Sequence, residues 1–258
     1  METKKQVMTA LASAILLIGG SSCASHHYEV TSIERTRILI DQRYDAYPDA
    51  AASAFLAPYK QQVDSLMSPV VGTAERYMEA YRPESELSNL ACDILVWGGK
   101  AFDEKPVFSV YNMGGIRAAL AKGKVTTGDV LDMAPFENKI CFMTLTGEKV
   151  LELFQQIAHR GGEGVSHAVR LVISKDYKLV SATINGEAVD PNASYRVATL
   201  DYLAEGNDGL AAFRSGTDIV SPKEEKNNVR YIIMDYFRHQ AAQGKTVDAK
   251  KEGRITIE

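Results

Sequence analysis

The 258-residue chain reads as a mixed α/β protein, with one domain running from residue 28 to 258. Three observations lead there. Short β-rich runs alternate with segments whose apolar residues recur every three to four positions. Hydrophobic residues make up 45% of the chain, ample for a core, beside an ordinary 24% of charged residues. The interior carries no repeat, no low-complexity tract and no linker at which to divide it.

Taken in order, the first segment stands apart. Lys4 and Lys5 precede an apolar run from Val7 to Ile18 that gives way to Gly19, Gly20, Ser21, Ser22 and Cys23, the layout of a secretory signal over residues 1–22. The run is short for a membrane span. The small residues ahead of Cys23 resemble a bacterial lipoprotein processing site, although Gly20 stands where Leu is usual. Cys23 is therefore expected to be the lipidated first residue of an exported protein, anchored to a membrane of the cell envelope or free in the periplasm if secretion is plain. Residues 23–27 read as a polar tether containing His26 and His27.

Tyr28 to Asp41 alternates unevenly and fits strand or irregular chain. Pro48 to Met67 has helical spacing in Ala52, Phe55, Leu56, Tyr59, Val63 and Leu66, with Pro58 expected to kink the helix or break it in two. Val70 to Tyr77 reads as a strand. Ser85 is placed to cap a helix with the stripe Leu87, Leu90, Ala91, Ile94 and Leu95. Val107 to Tyr111 is a strand, Thr127 to Met133 a short helix and Lys139 to Leu145 a strand. Thr146 then opens a helix bearing Val150, Leu151, Phe154, Ile157 and Ala158 on one side. Ala168 to Ile173, Leu179 to Ile184 and Tyr195 to Thr199 complete the strands, with Asn185-Gly186 marking a tight turn. Ser221-Pro222-Lys223-Glu224 has the pattern of a helix start ahead of Val229, Ile232, Ile233, Tyr236 and Phe237. Cys92 and Cys141 sit among apolar residues as packing thiols, with a disulfide permissible in an exported chain.

A formal net charge of −4 does not suit a protein that grips nucleic-acid backbone. Small anions would need a local cluster of cations instead. One such place is Asn112-Met113-Gly114-Gly115-Ile116-Arg117, where a strand runs into a Gly-Gly turn. The glycines permit close approach of a ligand, Arg117 offers a planar fork of donors for phosphate or carboxylate, and Asn112 presents donor and acceptor to a base edge or sugar. Phe136, with Asn138 two residues on, and Tyr202 gain meaning as a pair, since a flat heteroaromatic ring is held well between two aromatic side chains. Asp208, in Gly206-Asn207-Asp208-Gly209, follows Tyr202 by six residues, close enough for both to face one ligand. Singly, each of these is commonly a surface turn or core filling.

The ordered series resembles the C-terminal, substrate-binding domain of the bacterial 5'-nucleotidase and UDP-sugar hydrolase family. Glu84 to Leu90 with Asp93 matches its first helix, Asn112 to Arg117 its Asn-x-Gly-Gly-Ile-Arg loop, and Gly123 to Asp129 the stretch that follows. Pro135 to Asn138, Leu145-Thr146-Gly147 and Tyr202 to Gly209 complete the series. The resemblance implies a layered α/β/β/α domain in which Phe136 and Tyr202 sandwich a base, Asn112 and Asn138 contact its edge or the sugar, Arg117 binds phosphate and Asp208 the ribose hydroxyls, beside Gly114 and Gly115. Two departures stand out. Pro83, preceded by Arg82, occupies the place of a further family Arg, and Asn207 replaces a Gly, a change that Asn's tolerance of left-handed backbone makes minor.

The family hydrolyses phosphate esters with a metallophosphoesterase domain ahead of this one. Here His26, His27, His159, His167 and His239 form no Asp-x-His, Asn-His-Asp/Glu or His-x-His pattern, and Gly161-Gly162-Glu163-Gly164 lacks the ending of a phosphate loop and reads as a turn after a helix. About sixty residues separate Cys23 from the matching region, fewer than a domain usually needs. The expectation is a nucleotide-recognition domain of a split 5'-nucleotidase, with no catalytic residue or cofactor of its own. A separate metallophosphoesterase subunit would bring the divalent metals. A stand-alone nucleotide-binding lipoprotein without turnover and a structural surface protein are the alternatives.

Overall fold

The computed structural model describes residues 28–44 and 49–258. The expected signal, Cys23, the tether and Pro48 lie outside the described residues. The chain divides into two compact units, Met1–Ser53 and Ala54–Glu258. In the first, residues 28–41 are exposed and irregular, and a 3-10 turn follows at Gln42–Tyr44. Helix α1, Ala50–Met67, crosses the boundary; Asp49 opens it by accepting the N–H groups of Ala51 and Ala52. Of the kink or break expected at Pro58, the break does not occur. A proline removes a single donor, and the pairing of the flanking turns carries the helix past it. Phe55, Leu56, Tyr59, Val63 and Leu66 on this helix are exposed rather than buried.

Among the described residues, all of the buried apolar ones fall in the second unit. Its central sheet has five strands in the order β10-β4-β9-β2-β5: Thr217–Val220, Ile140–Thr146, Ser194–Leu200, Phe108–Tyr111 and Gly164–Val165. A second sheet, β11-β6-β7-β8, joins Ile255–Ile257, Val169–Ile173, Leu179–Ile184 and Glu187–Ala188. A ribbon pairs β1, Val70–Ala74, with β3, Gly123–Thr126. Asn185 and Gly186 both take positive φ in the turn between β7 and β8, as that hairpin requires.

Consecutive strand residues point to opposite faces, and β2 shows what covers each. Ser109 donates its hydroxyl to the carbonyl of Cys92 on α2, Glu86–Gly98, whereas the Phe108 ring lies 5.5 Å from that of Phe154 on α4, Gly147–His159. Helices thus cover both faces of the central sheet, and α4 also packs on β7. The mixed α/β fold expected from the sequence is the fold observed. Ser85 caps α2, Thr126 caps α3 (Thr127–Met133) and Thr146 caps α4. Cys92 and Cys141 are free thiols, both buried, and burial raises the pKa of each.

The last helix departs from its expected start. Helix α6 spans Val229–Ala242, and Ser221-Pro222 remains irregular chain. Asn228 bridges to Lys139, and the Val229 N–H donates to the carbonyl of Asn138. That pairing holds residue 228 extended and postpones the helix. The C-terminal segment is tied down by a charged network: Arg254, almost wholly buried, donates twice to Asp93 at 2.7 and 2.9 Å, and Glu84 accepts the N–H groups of Glu252 and Arg254. Glu84, Asn89 and Asp93 therefore serve to anchor β11.

Candidate functional site

Strand pairing brings three loops to one end of the central sheet. β2 and β9 run parallel, so their C-terminal ends share an edge; β4 runs antiparallel to β9, with Ile140 opposite Leu200, which sets the N-terminal end of β4 at the same edge. Asn112 leaves β2, Phe136 and Asn138 enter β4, and Tyr202 leaves β9 on the short helix α5, Asp201–Ala204. Asn112, Gly114, Phe136, Asn138, Tyr202 and Asp208 line one cleft of about 230 Å³. The Phe136 ring is 49% exposed and Tyr202 38%, large aromatic surfaces held open where core filling would have buried them.

Hydrogen bonds knit the polar wall. Asp208 accepts the Asn112 amide at 2.7 Å and the Tyr202 hydroxyl at 3.1 Å. The latter bond raises the Tyr202 pKa and keeps the phenol protonated. Asn112 is 5% exposed; its Nδ2 is committed to Asp208, and its Oδ1 is buried with no partner. Asn112 thus spends one of its two donors on Asp208, and its acceptor is packed against Gly115 rather than open to the cleft. Asp208 takes φ +54 between Gly206 and Gly209, also at positive φ, whereas Asn207 does not. The Asn in place of a Gly thus needs no left-handed tolerance, and its Nδ2 instead donates to the Tyr202 carbonyl at 2.8 Å.

The two glycines of the Asn112 turn act differently, and neither has positive φ. Gly114 faces open space at the cleft. A Cβ at Gly115 would sit 2.6 Å from Asn112 Oδ1, so Gly115 makes room for a side chain rather than for a ligand. Gly115 and Arg117 do not line the cleft; Arg117 lies exposed beside it, with Nη1 donating to the Gly114 carbonyl at 3.3 Å.

Four supporting residues escaped sequence reasoning. Asp201 Oδ1 accepts the N–H groups of both Lys139 and Tyr202 at 2.9 Å, stapling together the loops that carry the two rings. Arg230 donates to the Pro135 carbonyl at 2.8 Å, next to Phe136. Glu163 is buried under the Asn112 turn, accepting the Met113 N–H at 2.5 Å and pairing with Arg82 and Arg160. Gly162, at φ +110, lets this segment pass the Pro83 carbonyl, to which a Cβ would stand at 2.5 Å. The turn at Gly161-Gly162 follows a helix as expected, yet Glu163 just after it lies beneath the Asn112 turn, and its local sequence carried no signal of that. Among the described residues, no three His, Cys, Asp or Glu side chains gather as metal ligands.

The fold and cleft define a class: a mixed α/β recognition domain whose ligand would lie at a sheet end between two open rings and a polar wall. Residues 70–215, more than half of the chain, match the family described as the 5'-nucleotidase, C-terminal domain, and the protein belongs to that family. It is 26% identical over 236 residues to the trifunctional nucleotide phosphoesterase protein YfkN of Bacillus subtilis, covering 84% of this chain and 16% of that one. Protein UshA of Escherichia coli is 27% identical over 159 residues, 60% of this chain and 29% of its own. A 5'-nucleotidase precursor from Thermus thermophilus superposes with a TM-score of 0.69 at 27% identity, over 83% of this chain and 44% of that structure. The chain spans less than half the length of each of these relatives.

Proposed function

We propose that this protein recognises nucleotides, nucleoside monophosphates among them, and presents them to a metallophosphoesterase carried on a separate polypeptide. The observation that carries the reading is the pair of exposed rings, Phe136 and Tyr202, on one cleft with Asn112 and the Asp208 carboxylate. A base between the rings gains stacking of roughly 1–3 kcal/mol for each. Asn112, through its amide beside Asp208, and Asn138 meet polar edges of the base or sugar, Asp208 accepts from ribose hydroxyls, and Arg117 approaches the phosphate from the Gly114 rim. The relatives' names support the ligand class, as nucleotide phosphoesterases and 5'-nucleotidases. Among the described residues no three His, Cys, Asp or Glu side chains gather at the cleft to hold a metal. Divalent metals, which activate water and stabilise the leaving oxygen, belong in this reading to the partner.

The same reading takes the protein through export with lipidation at Cys23, to a bacterial cell envelope; one matching relative is named a cell wall protein, Lmo0130 of Listeria monocytogenes. The test is reconstitution. The purified chain is combined with a candidate metallophosphoesterase, manganese or zinc, and a nucleoside monophosphate. Phosphate release should depend on both proteins. Release by the phosphoesterase that is unchanged by adding this chain would reject the split arrangement, and saturable binding without any release would leave a capture protein.

A further inference from the structure

Glu163, with its side chain wholly buried, faces two guanidiniums. Arg82 is committed, its Nε donating to the Gly162 carbonyl at 2.8 Å and its Nη2 to Glu163. Arg160, at the C-terminal end of α4, is bonded through Nε alone, to Glu163 Oε1 at 2.5 Å. Among the described residues its Nη1 and Nη2 make no hydrogen bond. Nη2 stands 4.0 Å from the Asp208 carboxylate on the cleft wall, too far to bond, and the side chain is 31% exposed. Two carboxylates and two guanidiniums thus balance in charge, and Arg160, which stands behind Asp208 rather than in the cleft lining, keeps unused Nη donors at that end.

We propose that Arg160 is the specificity-determining cation of this cleft, the residue that favours a ligand bearing phosphate on its sugar over the same nucleoside without it. The inference rests on the nucleotide reading above. Asp208 is the one acidic side chain lining the cleft, and alone it would repel a phosphate. Arg160 cancels that repulsion from behind and supplies a fork that matches phosphate oxygens in pairs. Because Glu163 already fixes Nε, the arm loses little freedom when the ligand arrives. Arg117, exposed and resting on the Gly114 carbonyl, has no comparable anchor.

Calorimetric titration of the full chain with one nucleoside and its 5'-monophosphate, in wild type and Arg160→Gln, decides the matter. The wild type is expected to prefer the monophosphate. Arg160→Gln should weaken the monophosphate about tenfold, the scale of one charge-assisted contact, and the nucleoside less than about threefold. Equal loss for both ligands would mean that Arg160 only props Glu163, and would overturn the proposal, as would no change in either. If wild type binds neither ligand, the nucleotide reading falls and this inference with it; if it binds both but the preference ignores Arg160, only the inference falls. Should Arg160→Gln fail to melt cooperatively, Arg160→Lys gives the same decision, since a lysine retains the charge without the fork. Its preference should drop at least about twofold, and an unchanged preference would overturn the proposal.

Discussion

Replacing Glu163 by Gln removes one charge and almost no volume, and so isolates what the buried carboxylate contributes. Its side chain is fully buried, while its partners Arg82 and Arg160 remain 37% and 31% exposed. Deleting one member of a fully buried ion pair costs about 3–5 kcal/mol. Here both guanidiniums keep part of their water, which lowers each pair toward the upper end of the surface range, about 1 kcal/mol. The Gln amide oxygen can still accept the Met113 N–H, although as a neutral acceptor, at a loss of about 0–1 kcal/mol. The total is about 2–3 kcal/mol. At roughly 2–4 °C per kcal/mol for a unit of this size, Tm falls by about 4–12 °C. Scanning calorimetry measures the shift, and urea unfolding should show a lower midpoint at an unchanged slope. A Tm within about 1 °C of wild type would refute the idea that Glu163 is the charge on which the turn above it rests.

Phe136→Ala and Tyr202→Ala should each weaken nucleotide binding by roughly 1–3 kcal/mol, about five- to 150-fold, with a small change in Tm because both rings are only partly buried; calorimetric titration and a thermal melt check the two halves of that statement. Asp201→Ala removes the acceptor shared by Lys139 and Tyr202, so affinity is expected to fall about tenfold and stability by about 1–3 kcal/mol, whereas normal affinity would show that the rings keep their spacing without it. Burial raises the pKa values of the Cys92 thiol and the Tyr111 phenol above 9.0 and 10.0. The folded state then keeps protons that the unfolded chain releases, so this stability is complete below about pH 8 and declines as pH rises above about 9. Tm followed from pH 7.5 to 10.5 should fall, more gently in Cys92→Ala; a flat profile would contradict it.

Much of this structure was legible in periodicity and capping. Ser85, Thr126 and Thr146 stand at helix starts because side-chain oxygens there satisfy backbone donors locally, and local rules need no knowledge of the fold. The strands that went unread, β3, β5, β8, β10 and β11, are four residues or shorter, and all but β8 pair with strands far along the chain. The start of α6 failed for the same reason. Ser221 to Glu224 has the right residues, but the bridge from Asn228 to Lys139 is a tertiary constraint. At the cleft, sequence order pointed to the groups that line it, Phe136, Tyr202, Asn112 and Asp208, because their motifs are contiguous. It missed Asp201, Glu163, Arg160 and Arg230, whose importance lies in contacts to backbone or charge far along the chain. An Asp after a strand or a Glu between glycines has no distinctive local pattern.

A crystal structure of the protein with a nucleoside monophosphate tests the central claim most directly. The base is expected between the Phe136 and Tyr202 rings, with the ribose hydroxyls within hydrogen-bond distance of Asp208. A nucleotide bound elsewhere on the molecule, or a base outside both rings, would contradict it.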